Sequence, residues 1–327
     1  MLNKLYQIAS FLWRNTFLKY YRNLKAQREN HYWEEHIRHY GRENPDKTFY
    51  VIRRRDAYCG LFSLYITTLV RIDEALKKGF IPIVDMQNSF NLYLDEEKIG
   101  KENSWEYYFE QPMNYSLNDI IKSKNIVIGD GSVPKMFPYL DVNFLYGKEG
   151  NIEYWRKLAQ KYIRVNREIQ AYVDEQYDKF FSKKDKVLGI RCRGTDYIRE
   201  KPKNHPRQPE IEDILREAKR IIKEYQCSKI FLMTEDNSYY QACKNEFGNM
   251  LTVFKNKFAV YESGCIGKAM YEQAENKCTL GMDYLVETML LGKCACLCAG
   301  CVSSTVGVLL MANKYEYMYL FDLGIYS

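Results

Sequence analysis

From Thr48 onward, short apolar runs alternate with longer stretches whose apolar residues recur every three or four positions. "TFYVI" (48–52) predicts a strand, "RRRDAYCG" (53–60) a loop, 61–78 a helix and "FIPIVD" (80–85) another strand. That strand-loop-helix-strand unit starts a parallel α/β layer. An aromatic, irregular middle around "NSWEYYFEQPMNYSLND" (103–119) follows, then a strand in "KNIVIGD" (124–130). Residues 151–181 form one long helix or two broken ones, with Ile163, Ile169, Tyr172, Val173 and Phe180 on a face. After "SKKDK", the strand "VLGIRC" (187–192) opens a second alternation. Within 210–225, Ile211, Ile214, Leu215, Ala218, Ile221 and Ile222 keep the spacing of an amphipathic helix. Next come "KIFLMT" (229–234), a helix from Ser238, "LTVF" (251–254), a helix over 282–293, "ACLCA" (295–299) and a last helix from Ser304. The pattern predicts two α/β halves joined near residue 182: an N-terminal segment over 1–45, a domain over 46–182 and a second over 183–327.

The composition narrows the classes. A chain of 327 residues with 46% hydrophobic content buries a large core and exceeds the usual single-domain size. A net charge of +6 without a compact Lys/Arg tract admits an anionic ligand but does not point to nucleic acid. Residues 1–28 carry six cations and no acid among apolar residues. The segment is too interrupted to cross a bilayer, which needs about 20 consecutive apolar residues. It reads either as a helix at a membrane surface, a peripheral contact, or as one packed on the body of the protein. Of ten cysteines, Cys294, Cys296, Cys298 and Cys301 crowd into "KCACLCAGC". A zinc or iron–sulfur site is one account. The other, which the alternate spacing of 294, 296 and 298 favours, is one face of an apolar strand. With no signal-peptide pattern, reduced thiols in the cytoplasm are expected, at the inner face of a membrane if the basic segment docks there.

Three strand ends of the second half carry unusual chemistry. One ends in Arg191, Arg193, Gly194, Thr195 and Asp196; another in Thr234, Glu235 and Asp236; the last in Gly300, Ser303, Ser304 and Thr305 before a helix. In parallel α/β sheets ligands sit at the carboxyl ends of strands. Guanidinium groups and the free N–H groups of a helix start are how a fold holds phosphate. Each end also has a structural account: an Arg193–Asp196 ion pair, Glu235 or Asp236 as an N-cap, Ser303 or Ser304 as another. Their joint place on one sheet edge favours a phosphorylated ligand.

"GIRCRGTDY", "IFLMTEDNSYY" and "ETMLLGKCACLCAGCVSSTVG" resemble the three donor-site motifs of the α-1,6-fucosyltransferases and protein O-fucosyltransferases, over about residues 186–312. The resemblance implies a GT-B fold, two Rossmann-type parallel-sheet domains facing a cleft, and a GDP-fucose donor used without a metal cofactor. It places Arg193 on the donor's β-phosphate, Ser303 and Ser304 against the diphosphate, and Glu287 near the nucleoside. Arg191 stands where the family has His, and Gly194 replaces its second Arg. The partners implied are a nucleotide sugar and a glycan acceptor, in a setting such as surface polysaccharide synthesis.

The stiff loop "REKPKNHPRQP" supplies Glu200 and His205 as candidates for the base that takes the acceptor proton. Asp56 with Gly60, and the cluster Trp105 to Phe109, are candidates for an acceptor groove, core packing being the other account of the aromatics. Two readings stand beside the fucosyltransferase: a transferase with another nucleotide sugar, and a non-catalytic protein that binds sugar nucleotides or glycans.

Overall fold

The computed structural model describes residues 31–56, 58–134, 152–255, 258, 260, 263–264, 266–312 and 314–327; the basic segment 1–28 and Cys265 lie outside them. Two sheets organise the chain. The first joins β1 (His36–Arg38), β2 (Glu43–Ile52), β3 (Ile81–Val84) and β4 (Ser123–Ile128) in the order β1-β4-β2-β3. β2 is parallel to β3 and β4, whereas β1 is antiparallel to β4. The second joins β5 (Val187–Arg191), β6 (Lys229–Met233), β7 (Leu251–Thr252), β8 (Cys296–Gly300) and β9 (Tyr317–Phe321), all parallel, in the order β7-β6-β5-β8-β9. This is the doubly wound arrangement: the chain leaves β5 in one direction and returns to the other side through β8. The crevice between β5 and β8 is where such sheets bind ligands.

Between the sheets lies a shared helical layer. The Leu61–Lys77 helix is buried on nearly every side along its first ten residues, none of which is charged. It packs against the Ile152–Tyr162 and Ser303–Met311 helices, the latter from the second half. Contact there is close: a Cβ on Gly307 would lie 2.1 Å from a ring carbon of Phe62. Burying a ring of that kind stabilises by about 1.5–3 kcal/mol. One apolar cluster runs from Tyr50 and Ile52 through Leu69, Leu285 and Leu309 to Leu297 without a break between the halves. A second cluster covers the far face of the second sheet beneath the Ile211–Tyr225 and Asn237–Phe247 helices.

Local contacts settle the element boundaries, in one case choosing between the two expected forms and in others departing from the sequence reading. Residues 151–181 are two helices, Ile152–Tyr162 and Arg167–Phe180. Between them Val165 pairs with Phe109, and the Asn166 N–H donates to the Tyr108 carbonyl. The helix expected from Met282 begins at Lys277, because the Asn276 side chain accepts from the Thr279 N–H and caps it there. β1, β9 and the Ile266–Gln273 helix carried no clear period; β9 is half-buried along most of its length.

The cysteine cluster is strand and turn. Cys296 and Cys298 face the second apolar cluster, but Cys294 precedes β8 and packs on the opposite side with Leu291 and Leu297, so the three do not share a face. Burial raises the Cys294 and Cys298 thiols far above the ordinary range, and that of Cys227 to about 12. No group of three His, Cys, Asp or Glu side chains among the described residues could hold a metal. No described helix is long and apolar enough to cross a membrane.

Candidate functional site

β5 reads "VLGIR", and all five residues are buried because the strand is central and covered on both faces. Its last residue, Arg191, is therefore a buried cation and must be paired. Its Nε donates to Ser304 Oγ at 2.9 Å, across the crevice between β5 and β8, and Nη1 donates to Glu235 Oε2 at 3.0 Å. Burial works against its charge, but Glu235 beside it outweighs that and holds the guanidinium more basic than usual.

Two residues on, Arg193 makes a forked pair with Asp196, at 2.9 and 3.1 Å from Nη2, and its Nε lies 4.0 Å from Glu235. Its guanidinium also sits 4.3 Å from the ring centre of Tyr197. Burial again opposes the charge, and Asp196 and then Glu235 overcome it. Glu235 thus stands between the two arginines.

The turn that carries Arg193 is tightly held. Thr195 has φ +50°, a conformation that a β-branched residue seldom adopts and that costs on the order of 1–3 kcal/mol. Asp236 compensates by accepting from the Thr195 N–H at 3.1 Å, and Glu235 by accepting from its hydroxyl at 3.3 Å. Gly194 is required by the same contact, since a Cβ there would lie 2.2 Å from Asp236 Oδ2. This is why a second arginine at 194 has no place in this chain. Asp236 also caps the Asn237–Phe247 helix through the Ser238 N–H, and these hydrogen bonds hold its carboxyl below the usual range against the effect of burial.

Around these groups opens a cleft of about 540 Å³. Arg191, Arg193, Asp196, Glu200, His205, Thr234, Glu287 and Ser303 line it from the second half; Asp56 and Gly60 line it from the first. Gly194, Asp236, Ser304 and Thr305 do not. Ser304 is spent on Arg191, and the Thr305 hydroxyl donates to the Gly300 carbonyl at 2.6 Å. The N-cap position of the last helix is Val302, so neither serine is a cap. Instead Ser303 faces the cleft at a helix start whose first N–H groups have no intrahelical acceptor.

Glu287 is half-buried, and burial pushes its carboxyl up to about 8; Arg191 pulls back and Asp283 adds to the rise. At neutral pH it is mostly an uncharged acid. Glu200 ends the Thr195–Arg199 helix and accepts from the Gly264 N–H at 3.1 Å. The His205 ring stands edge-on to Tyr197 at 5.5 Å, with Nδ1 2.9 Å from the Lys203 carbonyl. Its loop is stitched to the last residues of the chain: the Asn204 N–H donates to the Tyr326 carbonyl, the Tyr326 N–H to that of His205, and Pro206 pairs with Ile325.

Of the two accounts of the 105–109 aromatics, core packing holds and the acceptor groove does not. Trp105, Tyr108 and Phe109 are fully buried and belong to the core, and neither they nor Glu106 and Tyr107 line the cleft. Its aromatic wall is Tyr58, Phe62, Tyr93 and Tyr284, which sequence spacing gave no reason to single out, together with Tyr197 from the turn after β5. Glu235, expected as part of a strand end or as an N-cap, instead lines the cleft between the two arginines, and the cap is Asp236.

With this geometry in hand, the fold has known counterparts. The chain matches NodZ α-1,6-fucosyltransferase soaked with GDP-fucose at 17% identity and a TM-score of 0.50, over 85% of this chain and 96% of that one. It matches the same enzyme co-crystallised with GDP at 16% identity and a TM-score of 0.51, over the same shares. POFUT1 in complex with GDP-fucose aligns at 11% identity and a TM-score of 0.46, over 85% of this chain and 99% of that one. No protein-family model matches, and no curated protein matches in sequence. The fold is the GT-B-like architecture shared with NodZ, two α/β layers, the second wholly parallel and the first with one antiparallel strand, beside a cleft.

Proposed function

We propose that the protein is an inverting glycosyltransferase that moves fucose or a related sugar from GDP to a hydroxyl of a glycan. The observation that carries this reading is the pair Arg191 and Arg193, at the end of β5 beside the β5–β8 crevice, lining the cleft together with Ser303 at a helix start. The NodZ structures with GDP and GDP-fucose share this fold, which supports the donor class.

In the proposed reaction the acceptor oxygen bonds to the anomeric carbon as the bond from that carbon to the diphosphate breaks. The electron pair leaves with the diphosphate, whose growing charge Arg193 and the helix start meet. Groups preorganised for charge that develops in the transition state lower the barrier more than they tighten substrate binding. Glu287, uncharged at neutral pH, adds no opposing charge. Arginine takes the neutralising part here without a metal cofactor, a point to be checked by turnover in excess chelator. The acceptor proton passes to a base, for which Glu200, His205 and Asp56 are the candidates lining the cleft. Surface polysaccharide assembly is the proposed setting, with residues 1–28 as the contact to a membrane.

Arg191 and Gly194 favour a second reading, the same chemistry with a different nucleotide sugar, because they replace two positions of the resembled motif. Thermal shift with GDP, UDP, ADP and CMP separates the two. A shift by GDP alone, followed by acceptor-dependent GDP release from GDP-fucose, is the expected result. A shift by another nucleotide alone would replace the donor, and no shift by any would end the reading.

A further inference from the structure

Away from its charged floor the cleft has a second character. Among the described residues with large exposed apolar side chains, only Tyr58, 40% exposed, lines it. The ring is braced. Phe90 meets it edge-on at 5.7 Å, and Tyr271, from the second half, meets Phe90 edge-on at 5.2 Å. The Tyr58 N–H donates to Asp56 Oδ1 at 3.3 Å. Asp56 keeps an exposed carboxylate in the same cleft, with Arg54 3.7 Å away.

A held phenol ring beside a solvated carboxylate has the two-sidedness of a pyranose. Such a sugar presents an apolar C–H face, which covers an aromatic ring, and a rim of hydroxyls, which donate to carboxylate oxygens. The groups suited to a diphosphate all come from the second sheet, whereas Tyr58 and Asp56 come from the loop after β2. We infer that Tyr58 is the platform of an acceptor subsite, on which one uncharged pyranose ring stacks while Asp56 accepts from its hydroxyls. This rests on the proposed glycosyl transfer and adds to it the chemistry of the acceptor's leading unit.

The test uses saturation-transfer NMR of the full chain with maltotriose, cellotriose and triacetylchitotriose, alongside thermal shift with GDP. At least one saccharide should bind the wild type, Tyr58→Phe should bind it with similar affinity, and Tyr58→Ala should bind it at least about tenfold more weakly. Asp56→Asn should weaken it less. Melting temperature and circular dichroism report whether each variant is folded, and Tyr58→Phe keeps the test open if Tyr58→Ala is not. The inference is overturned if no saccharide binds the wild type, if Tyr58→Ala binds as the wild type does, or if Tyr58→Ala loses the GDP-induced shift instead, which would assign the ring to the nucleobase. Absence of a GDP shift in the wild type alongside saccharide binding would count against the donor, not the subsite.

Discussion

The two sheets end alike in sequence and differently in space. β2 runs out through "VIRRRDAY" and β5 through "GIRCRGTDY". Each is the strand beside which its sheet reverses direction, and each sends its first arginine across that crevice: Arg53 Nε to the Gly129 carbonyl at 2.9 Å, Arg191 Nε to Ser304 Oγ. At the first edge the chain then closes over the arginines. The Gly131 N–H donates to the Trp33 carbonyl, and the rings of Tyr32 and Trp33 lie 4.8 and 5.1 Å from Arg53. What remains beside Arg54 and Arg71 is a cavity of about 10 Å³, where Arg54 Nη1 and Arg71 Nε have no hydrogen-bond partner among the described residues. That is room for one water. At the second edge none of the described residues closes over, and the arginines border a cleft some fifty times larger. An arginine at a switch point is thus a splice between strands by default. It becomes a ligand group where the layer opposite leaves volume.

Breaking the comparison at its functional end should give the largest effect. Arg193→Ala should keep the fold and lose about a hundredfold in turnover, roughly 3 kcal/mol. Nucleoside diphosphate release near the wild-type rate would remove Arg193 from the site. At the structural end, Arg53→Ala strands the Gly129 and Tyr32 carbonyls and should cost about 2–3 kcal/mol by urea denaturation, while the folded fraction binds nucleotide as the wild type does. A changed affinity at unchanged stability would mean that the first edge is also a ligand site.

Gly194→Ala sharpens the contrast by pressing a methyl onto Asp236. It should cost about 1–3 kcal/mol and lower turnover by moving the Arg193 turn, whereas an alanine tolerated without loss would contradict that geometry. The serine pair divides more finely. Ser304→Ala should cost about 1 kcal/mol by orphaning Arg191 Nε. Ser303→Ala should leave stability alone and weaken nucleoside diphosphate more than bare nucleoside, and equal weakening of both would take Ser303 off the phosphates.

The last test concerns pH rather than a single contact. With the Glu287 carboxyl at about 8 when folded and 4.5 as its ordinary value, the folded chain keeps a proton that the unfolded chain has lost between those limits. Stability from this group is therefore present at low pH and declines as pH rises toward 8. Glu287→Gln should raise the melting temperature at pH 8 more than at pH 5, and an equal change at both would show an ordinary carboxylate.

Much of this was legible in the chain because the signals were periodic or local. Strands β2 to β6 and β8 showed as apolar runs, and the Ile211–Tyr225 helix by its spacing. Arg193 and Ser303 could be picked out as candidates because strand ends and helix starts are fixed by those same runs, whereas Glu287, inside a helix, came only through the resemblance. What stayed hidden depends on partners far along the chain. The role of Gly194 follows from Asp236, 42 positions on, and that of Ser304 from Arg191, so no local pattern shows that one serine faces the cleft and the other does not. The aromatics of 105–109 misled because burial and sugar stacking select the same side chains. The partners that use up their surface lie far along the chain: Tyr65 against Phe109, and the Cys278 carbonyl, which accepts from the Tyr108 hydroxyl.

The apolar cluster that runs unbroken from Tyr50 to Leu297 bears on how the molecule comes apart. A chain whose halves each kept a private core would melt in two steps, and either half could be made alone. Here the Phe62 and Leu309 surfaces satisfy one another across the helical layer, so a fragment ending near residue 182 or beginning there would carry a bare apolar face into water. The protein should unfold as one cooperative unit, and its cleft should hold its shape because the wall on either side is fastened to the same core.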